Sequence, residues 1–288
     1  MDQAVKQSAI EVKPMTAHVG AEIRGLDLRQ TLGDAAMREI RQAFNQWGVI
    51  FFRDQHLTPE QHLAFAERFG TIEHSRALAH VPGHPRINEV RKEPEERRNI
   101  GGNWHTDHPY DAEPLMGSVL LAREVPAWGG DTLFASMYAA YDALSDGLKE
   151  TLQGMRAVHA KGRAYDAANS SGDRALSGAS RTRLHEEAGA LEAVHEVVPV
   201  HPESGRRVLY VSPQYTVRFE GWTASESEPL LRFLFTHATQ PEFICRFLWR
   251  EGSIAFWDNR STLHYAVNDY HGSRRLMHRV TVAGPTIA

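Results

Sequence analysis

The stretch NIGGNWHTDHPYDAEP, residues 99–114, concentrates groups that bind metals or move protons. His105, Asp107 and His108 lie too close together for a hydrophobic core. Either they decorate a surface loop or they hold something. If His105-Thr106-Asp107 is a strand or the end of one, side chains two apart point to one face, with Cα atoms roughly 6–7 Å apart. An imidazole and a carboxylate then converge on one ion, and this mixed N/O set suits iron, manganese or zinc rather than calcium or magnesium. Two ligands bind weakly, so a third must come from elsewhere. The candidate is His264 in FWDNRSTLHYAVNDY, 157 positions beyond Asp107. It follows a strand ending at Asp258-Asn259-Arg260, and a histidine after such a turn is expected at a barrel mouth or on the surface. Two histidines and one carboxylate leave three metal positions open, which suits a substrate and dioxygen. The bland alternative is that His-x-Asp recurs by chance and that His264 caps or hydrogen-bonds. His74 and His108 read as pocket lining or surface rather than as ligands.

The elements that must position these residues are partly legible. GDAAMREIRQAFNQW (33–47) spaces Met37, Ile40, Phe44 and Trp47 by three and four, which predicts an amphipathic helix with Asp34 as N-cap. GVIFFRD (48–54) is a short apolar strand. LTPEQHLAFAERFG (57–70) is a second helix, capped by Thr58, with Pro59 in its first turn and Gly70 closing it. Residues 71–103, with Pro82, Pro85 and the charge run RKEPEERR, read as an irregular excursion. GSVLLARE (117–124), VPAWGG and DTLFAS (131–136) predict a strand–turn–strand pair. Helices are expected over 138–155 and 225–239, and a strand over RVLYVSP (207–213). Residues 161–190 lack a clean periodicity, which predicts a lid or a disordered loop. The last segment is rich in strands: FICRFLWREG, SIAFWDN and RLMHRVTVAG. If 275–282 is a strand, Arg275, Met277 and Arg279 share a face, with Leu276, His278 and Val280 opposite. Two cations on one inward face predict anions in the cavity, because a buried unpaired arginine is costly.

Regular strand–helix alternation and a glycine-rich phosphate loop are both missing, which argues against a doubly wound nucleotide fold. The expected class is mainly β with helices (α+β): a β-sandwich or jelly roll, here a double-stranded β-helix core flanked by helices. The 288 residues allow one large domain, with 42% hydrophobic and 24% charged residues as in ordinary globular proteins. No linker forces a division, so 1–288 reads as one domain. The net charge of −4 makes nucleic acid an unlikely partner. Cys245 is the only cysteine, so an internal disulfide and a cysteine-based zinc or iron–sulfur site are excluded. No run approaches the roughly 20 apolar residues of a membrane span, and the start MDQAVKQSAIEVKPM lacks a signal-peptide core. A cytoplasmic address is expected.

NWHTD, PAWGGDT, WDNRSTLHYAVNDY and SRRLMHRVT together resemble the taurine dioxygenase (TauD/TfdA) family of iron(II)- and 2-oxoglutarate-dependent dioxygenases. The resemblance runs from about residue 11 to 284, and the spacings between motifs match. It implies that His105, Asp107 and His264 are the iron ligands and that Thr132 and Arg275 hold the far carboxylate of 2-oxoglutarate. A guanidinium suits that task because its fork pairs a carboxylate bidentately. It implies that Arg279 grips an anionic prime substrate, with His74, His108, Tyr110 and Tyr215 around it. Asp107 separates the chain from related halogenases, which place a small residue there. Tyr215 stands where the taurine enzyme has phenylalanine, His108 where it has a small apolar residue, and Gly101 replaces an asparagine that contacts taurine. The implied substrates are therefore small organic anions of the sulfonate, sulfate ester or aryloxyalkanoate type. They would be hydroxylated with dioxygen, giving succinate and carbon dioxide. Residues 71–103 and 161–190 are candidate lids, and a homodimer or homotetramer is expected. Two rivals remain at this point: a jelly-roll protein using zinc for hydrolysis or structure, and a non-enzymatic binding module.

Overall fold

The computed structural model describes residues 10–73, 78–161 and 191–287. Two helices lie in the first quarter of the chain, after two short strands. α1 (Asp34–Trp47) buries Met37, Ile40 and Phe44, as the spacing predicts. Its N-cap is Gly33 and not Asp34. Asp34 is the first helical residue, and its carboxylate accepts from Arg68 Nη2 at 3.1 Å instead of capping. Gly48 ends the helix at φ +70° with its N–H on the Phe44 carbonyl. A Cβ there would lie 2.7 Å from Thr262 Cγ2, so glycine meets both demands. α2 (Pro59–Glu67) starts with a capping box between Thr58 and Gln61. It stops at Glu67, before Gly70. Gly70 serves strand packing: a Cβ on it would sit 2.0 Å from the Ala283 carbonyl oxygen.

Among the described residues the strands form three sheets. The large one has the order β1 (Glu11–Pro14), β2 (Ala21–Arg24), β3 (Val49–Phe52), β13 (Ile254–Asp258), β7 (Gly117–Glu124), β15 (Arg275–Ala283), β6 (His84–Lys92), β5 (His80–Val81), with β4 (Thr71–Glu73) on the far end of β15. A smaller sheet runs β12 (Ile244–Phe247), β8 (Thr132–Ser136), β14 (Thr262–Ala266). A third runs β10 (Glu192–Glu196), β9 (Arg156–Ala160), β11 (Thr216–Phe219). The expected strand–turn–strand pair is therefore two strands in different sheets. β7 pairs with β13 and β15, β8 pairs with β12 and β14, and the PAWGG segment crosses between the sheets. The excursion expected over 71–103 contains three strands, β4, β5 and β6, and β6 pairs with β15 over five residues. Residues 207–213 form no ladder: Arg207 makes one isolated bridge to Val200, and buried Leu209 and Tyr210 donate to carbonyls of Met137 and Val197. The helix expected over 138–155 is two short ones, α3 (Met137–Asp142) and α4 (Asp146–Leu152), each capped by a serine. α5 (Ala224–Ala238) follows Thr223, which caps it with Glu226. The lid expected over 161–190 lies outside the described residues apart from Lys161.

Three buried clusters define the layers. α1 and α2 pack through Ile40, Phe44, Leu63 and Phe65 on the outer face of the large sheet, against Ile50, Val119, Phe256 and Val280. The inner face carries Phe51, Leu120, Trp257 and Met277, which meet Phe134, Cys245 and Phe247 of the smaller sheet. Behind the smaller sheet, Ala135 and Leu263 meet α3, α5 and the 208–211 segment. This is a two-sheet jelly-roll core with helices on both sides, mainly β as expected. Among the described residues, no helix is long and apolar enough to cross a membrane.

Candidate metal centre

The backbone brings the two distant histidines together. His105 N–H donates to His264 O at 3.0 Å and His264 N–H to His105 O at 2.7 Å, an isolated antiparallel bridge. Their rings lie 4.0 Å apart between centroids. His264 is the middle residue of β14 and is buried, not exposed at a barrel mouth or on the surface as expected. The sequence T-L-H-Y-A alternates as a strand, but the preceding Asp-Asn-Arg turn masks it. The side chains at 105 and 107 turn to one side, and Thr106 turns to the other, where its hydroxyl donates to Asn259 O at 2.6 Å. Asp107 Oδ1 stands 3.7 Å from His105 Nε2 and 3.9 Å from His264 Nε2. All three ligand atoms lie within 4.8 Å of one another, and all three residues are buried.

The protonation states match a cation site. Burial lowers the pKa of both imidazoles, His264 well below the usual value, and the Asp107 charge offsets this only partly. His105 Nδ1 donates to Asn103 O at 2.7 Å, which fixes the tautomer and leaves the Nε2 lone pair facing Asp107. Burial alone would raise the pKa of Asp107, but the Arg279 guanidinium leads the opposing charges that hold the carboxyl well below the ordinary range. Two neutral nitrogen donors and one carboxylate are a fitting set for a first-row divalent metal, bound at about 2.0–2.2 Å per ligand.

Residues outside the sequence reading complete the frame. Ser118 Oγ donates to Asp107 Oδ2 at 3.4 Å. Trp257 and Phe134 wall His264 at 4.8 and 6.3 Å between ring centres. The turn before β14 is pinned by a fully buried ion pair. Arg260 Nη2 donates to Asp258 Oδ2 at 2.7 Å, and His201 Nε2 lies 3.0 Å from the same oxygen. The motif WDNR held a usable signal, since two charges flanking an apolar strand end ask for a partner.

Arg275 and Thr132 meet through Trp249. The indole Nε1 donates to Thr132 Oγ1 at 3.0 Å, and the Arg275 guanidinium carbon lies 5.6 Å from the ring centre. Thr132 keeps its own O–H to donate elsewhere. Arg275 is 5% exposed, and its Nε has no hydrogen-bond partner among the described residues. The alternation expected on β15 is present: Met277 faces the smaller sheet while Val280 and Val282 face the helices. Arg279 sits beside the His–Asp–His triad, with Nη1 3.4 Å from Asp107 Oδ2 and Nε without a hydrogen-bond partner among the described residues.

Tyr215 meets His105 edge-on at 6.3 Å, and Tyr110 meets Tyr215 at 5.1 Å. Burial pushes both phenols up, so they stay neutral donors. His108 stacks obliquely on Tyr110 at 5.5 Å, and its Nδ1 lies 2.9 Å from Asp111 Oδ2. It has φ +60°, an unusual backbone for a residue with a side chain, set directly beside Asp107. His74 lies outside the described residues.

Known proteins were compared with this arrangement. The profile of the family described as taurine catabolism dioxygenase TauD, TfdA matches residues 11–281. An alpha-ketoglutarate-dependent sulfate ester dioxygenase of Pseudomonas putida is 35% identical over 96% of this chain and 90% of its own. A (S)-phenoxypropionate/alpha-ketoglutarate-dioxygenase of Sphingobium herbicidovorans is 34% identical over 96% of each. A solved putative alpha-ketoglutarate-dependent taurine dioxygenase of Burkholderia xenovorans superposes with a TM-score of 0.82 at 37% identity, covering 97% of this chain and 94% of that one. AAD-2, solved with Mn(II) and N-oxalylglycine, gives 0.80 at 31% identity, covering 97% and 99%. The profile match, the relatives and the convergent His–Asp–His triad place the chain in the TauD/TfdA family, and it is an alpha-ketoglutarate-dependent dioxygenase.

Proposed function

We propose that the protein uses iron(II), 2-oxoglutarate and dioxygen to hydroxylate a C–H bond of a small organic anion of the sulfate ester, sulfonate or aryloxyalkanoate type. The observation that carries this is the buried triad, whose three donor atoms lie within 4.8 Å. His105, Asp107 and His264 would hold the metal. Once bound, iron with 2-oxoglutarate and dioxygen supplies the oxidation: 2-oxoglutarate becomes succinate and carbon dioxide, and the substrate gains a hydroxyl.

The chain's own residues position and exclude. Arg275 offers a buried guanidinium whose Nε has no hydrogen-bond partner among the described residues, Thr132 can still donate its O–H, and together they suit the far carboxylate of the keto acid. Arg279 is shared. It neutralises the outer oxygen of Asp107, and its remaining N–H groups suit the substrate's anionic end. Tyr110, Tyr215 and His108 make the adjoining wall aromatic and rich in donors, which favours an anion larger than taurine. Hydroxylation at a carbon bearing sulfate, sulfonate or aryl ether oxygen ends in collapse to a carbonyl product with loss of that group. Relatives named for sulfate esters and phenoxypropionate support this substrate class. The zinc-hydrolysis and binding-module alternatives leave Arg275 and Thr132 without a task. The same reading extends to a cytoplasmic homo-oligomer of two or four copies. The test is a panel of alkyl sulfates, sulfonates and aryloxy acids with succinate as readout. Formation that requires iron(II), 2-oxoglutarate, dioxygen and an anionic substrate together is expected. Turnover supported by zinc without 2-oxoglutarate would refute it.

A further inference from the structure

Arg275 is not the only buried cation on its face. In the antiparallel pair β6–β15, Lys92 stands opposite Arg275, Val90 opposite Met277 and Asn88 opposite Arg279. Residues directly opposed in such a pair project to the same face of the sheet. Met277 belongs to the core between the sheets, and Val90 packs against it, so this face looks into the sandwich. Lys92 is 2% exposed, and its Nζ has no hydrogen-bond partner among the described residues. Its ammonium sits 4.2 Å from the centre of the buried Tyr270 ring. Tyr270 also borders Arg275: a Cβ built on Gly130 would lie 3.2 Å from Tyr270 Cδ1 and 3.3 Å from Arg275 Cδ. The ring and the arginine shaft thus press on one glycine.

Two buried like charges opposed across strands destabilise a sheet, and a buried cation without an anion is costly. Glu96 acts on Lys92 through space, but its carboxylate accepts from Glu93 N at 2.7 Å. Neither Lys92 nor Arg275 has a carboxylate within ion-pair distance among the described residues. Among the described residues nothing supplies the missing anion, and a bound carboxylate would.

We propose that Lys92 is a second cation of the pocket for the far carboxylate of 2-oxoglutarate, and that it sets the preference for dicarboxylic over monocarboxylic 2-oxo acids. This rests on the role given to Arg275 above. The two cations share one face, and the pair suits a carboxylate bound between the arginine fork and the lysine point charge.

The test is calorimetric titration of the full chain loaded with Mn(II), using 2-oxoglutarate and, separately, 2-oxopentanoate, which lacks the far carboxylate. Lys92→Met is expected to weaken 2-oxoglutarate about tenfold and to change 2-oxopentanoate by less than about twofold. Lys92→Arg is expected to restore most of the loss. Unchanged 2-oxoglutarate affinity, or equal loss for both acids, would overturn the inference and leave Lys92 a structural cation held by Glu96 and Tyr270. If Lys92→Met does not melt cooperatively, Lys92→Gln reads the same ratio. A wild type that fails to distinguish the two acids would instead overturn the role of Arg275.

Discussion

Thr106→Val tests how the centre is held without touching a ligand. Thr106 lies between His105 and Asp107, is 1% exposed, and bonds Asn259 O at 2.6 Å. Asn259 belongs to the turn that leads into β14 and His264. One hydroxyl therefore ties two of the proposed ligands to the element carrying the third. Valine keeps the shape, so no cavity term arises, but the buried Asn259 carbonyl loses its donor. An orphaned buried acceptor costs about 1–3 kcal/mol. In a domain of this size that corresponds to a fall in Tm of roughly 2–5 °C. Loss of an outer contact that orients ligands weakens metal binding by about 10- to 100-fold. Thermal denaturation and anaerobic titration with Fe(II) read the two effects, and Thr106→Ser should restore both. An unchanged Tm together with unchanged iron affinity would refute the claim that this bond organises the centre.

Further outcomes are expected. Asp107→Ala should abolish iron-dependent succinate formation while the far-ultraviolet circular dichroism is retained. Arg275→Ala should raise the KM for 2-oxoglutarate far more than that for the anionic substrate, and the reverse order in steady-state kinetics would mean the two arginines are exchanged. Asp258→Asn breaks the buried link to Arg260 and His201 and should cost about 3–5 kcal/mol in denaturant unfolding. Stability should fall on acidification, because burial lowers His62 and His159 to about 3. Both stay neutral in the fold while the unfolded chain takes up protons below about pH 6.5, so folding free energy drops by up to about 1.4 kcal/mol per pH unit for each histidine as pH falls below that value. A flat unfolding free energy between pH 7 and 5 would contradict this, and His62→Leu should lessen the slope.

Much of the centre was legible because its chemistry is local. His-x-Asp places two donors on one side, and the Arg275–Met277–Arg279 alternation survives in β15. α1 was legible from the spacing of Met37, Ile40 and Phe44. What failed depends on long-range pairing. β14 is too short to announce itself, and His264 is buried only because β8 and the bridge to His105 flank it. β6 carries Pro85 and several charges that read as a loop, yet pairing with β15 makes it a strand. β7 and β8 look like a hairpin along the chain, but the crossing between sheets assigns them different partners. Tyr210 and its neighbours have strand composition without a ladder to join. Lys92 and Trp249 could not be placed beside Arg275 and Thr132 before the sheet order was known.

The most direct measurement is iron stoichiometry under nitrogen, with and without 2-oxoglutarate, for the wild type and for His105→Ala, Asp107→Ala and His264→Ala. One tightly held Fe(II) per chain in the wild type is expected. Each variant should lose that iron while melting cooperatively. Full iron occupancy with undiminished succinate formation in any of the three would place the metal somewhere else.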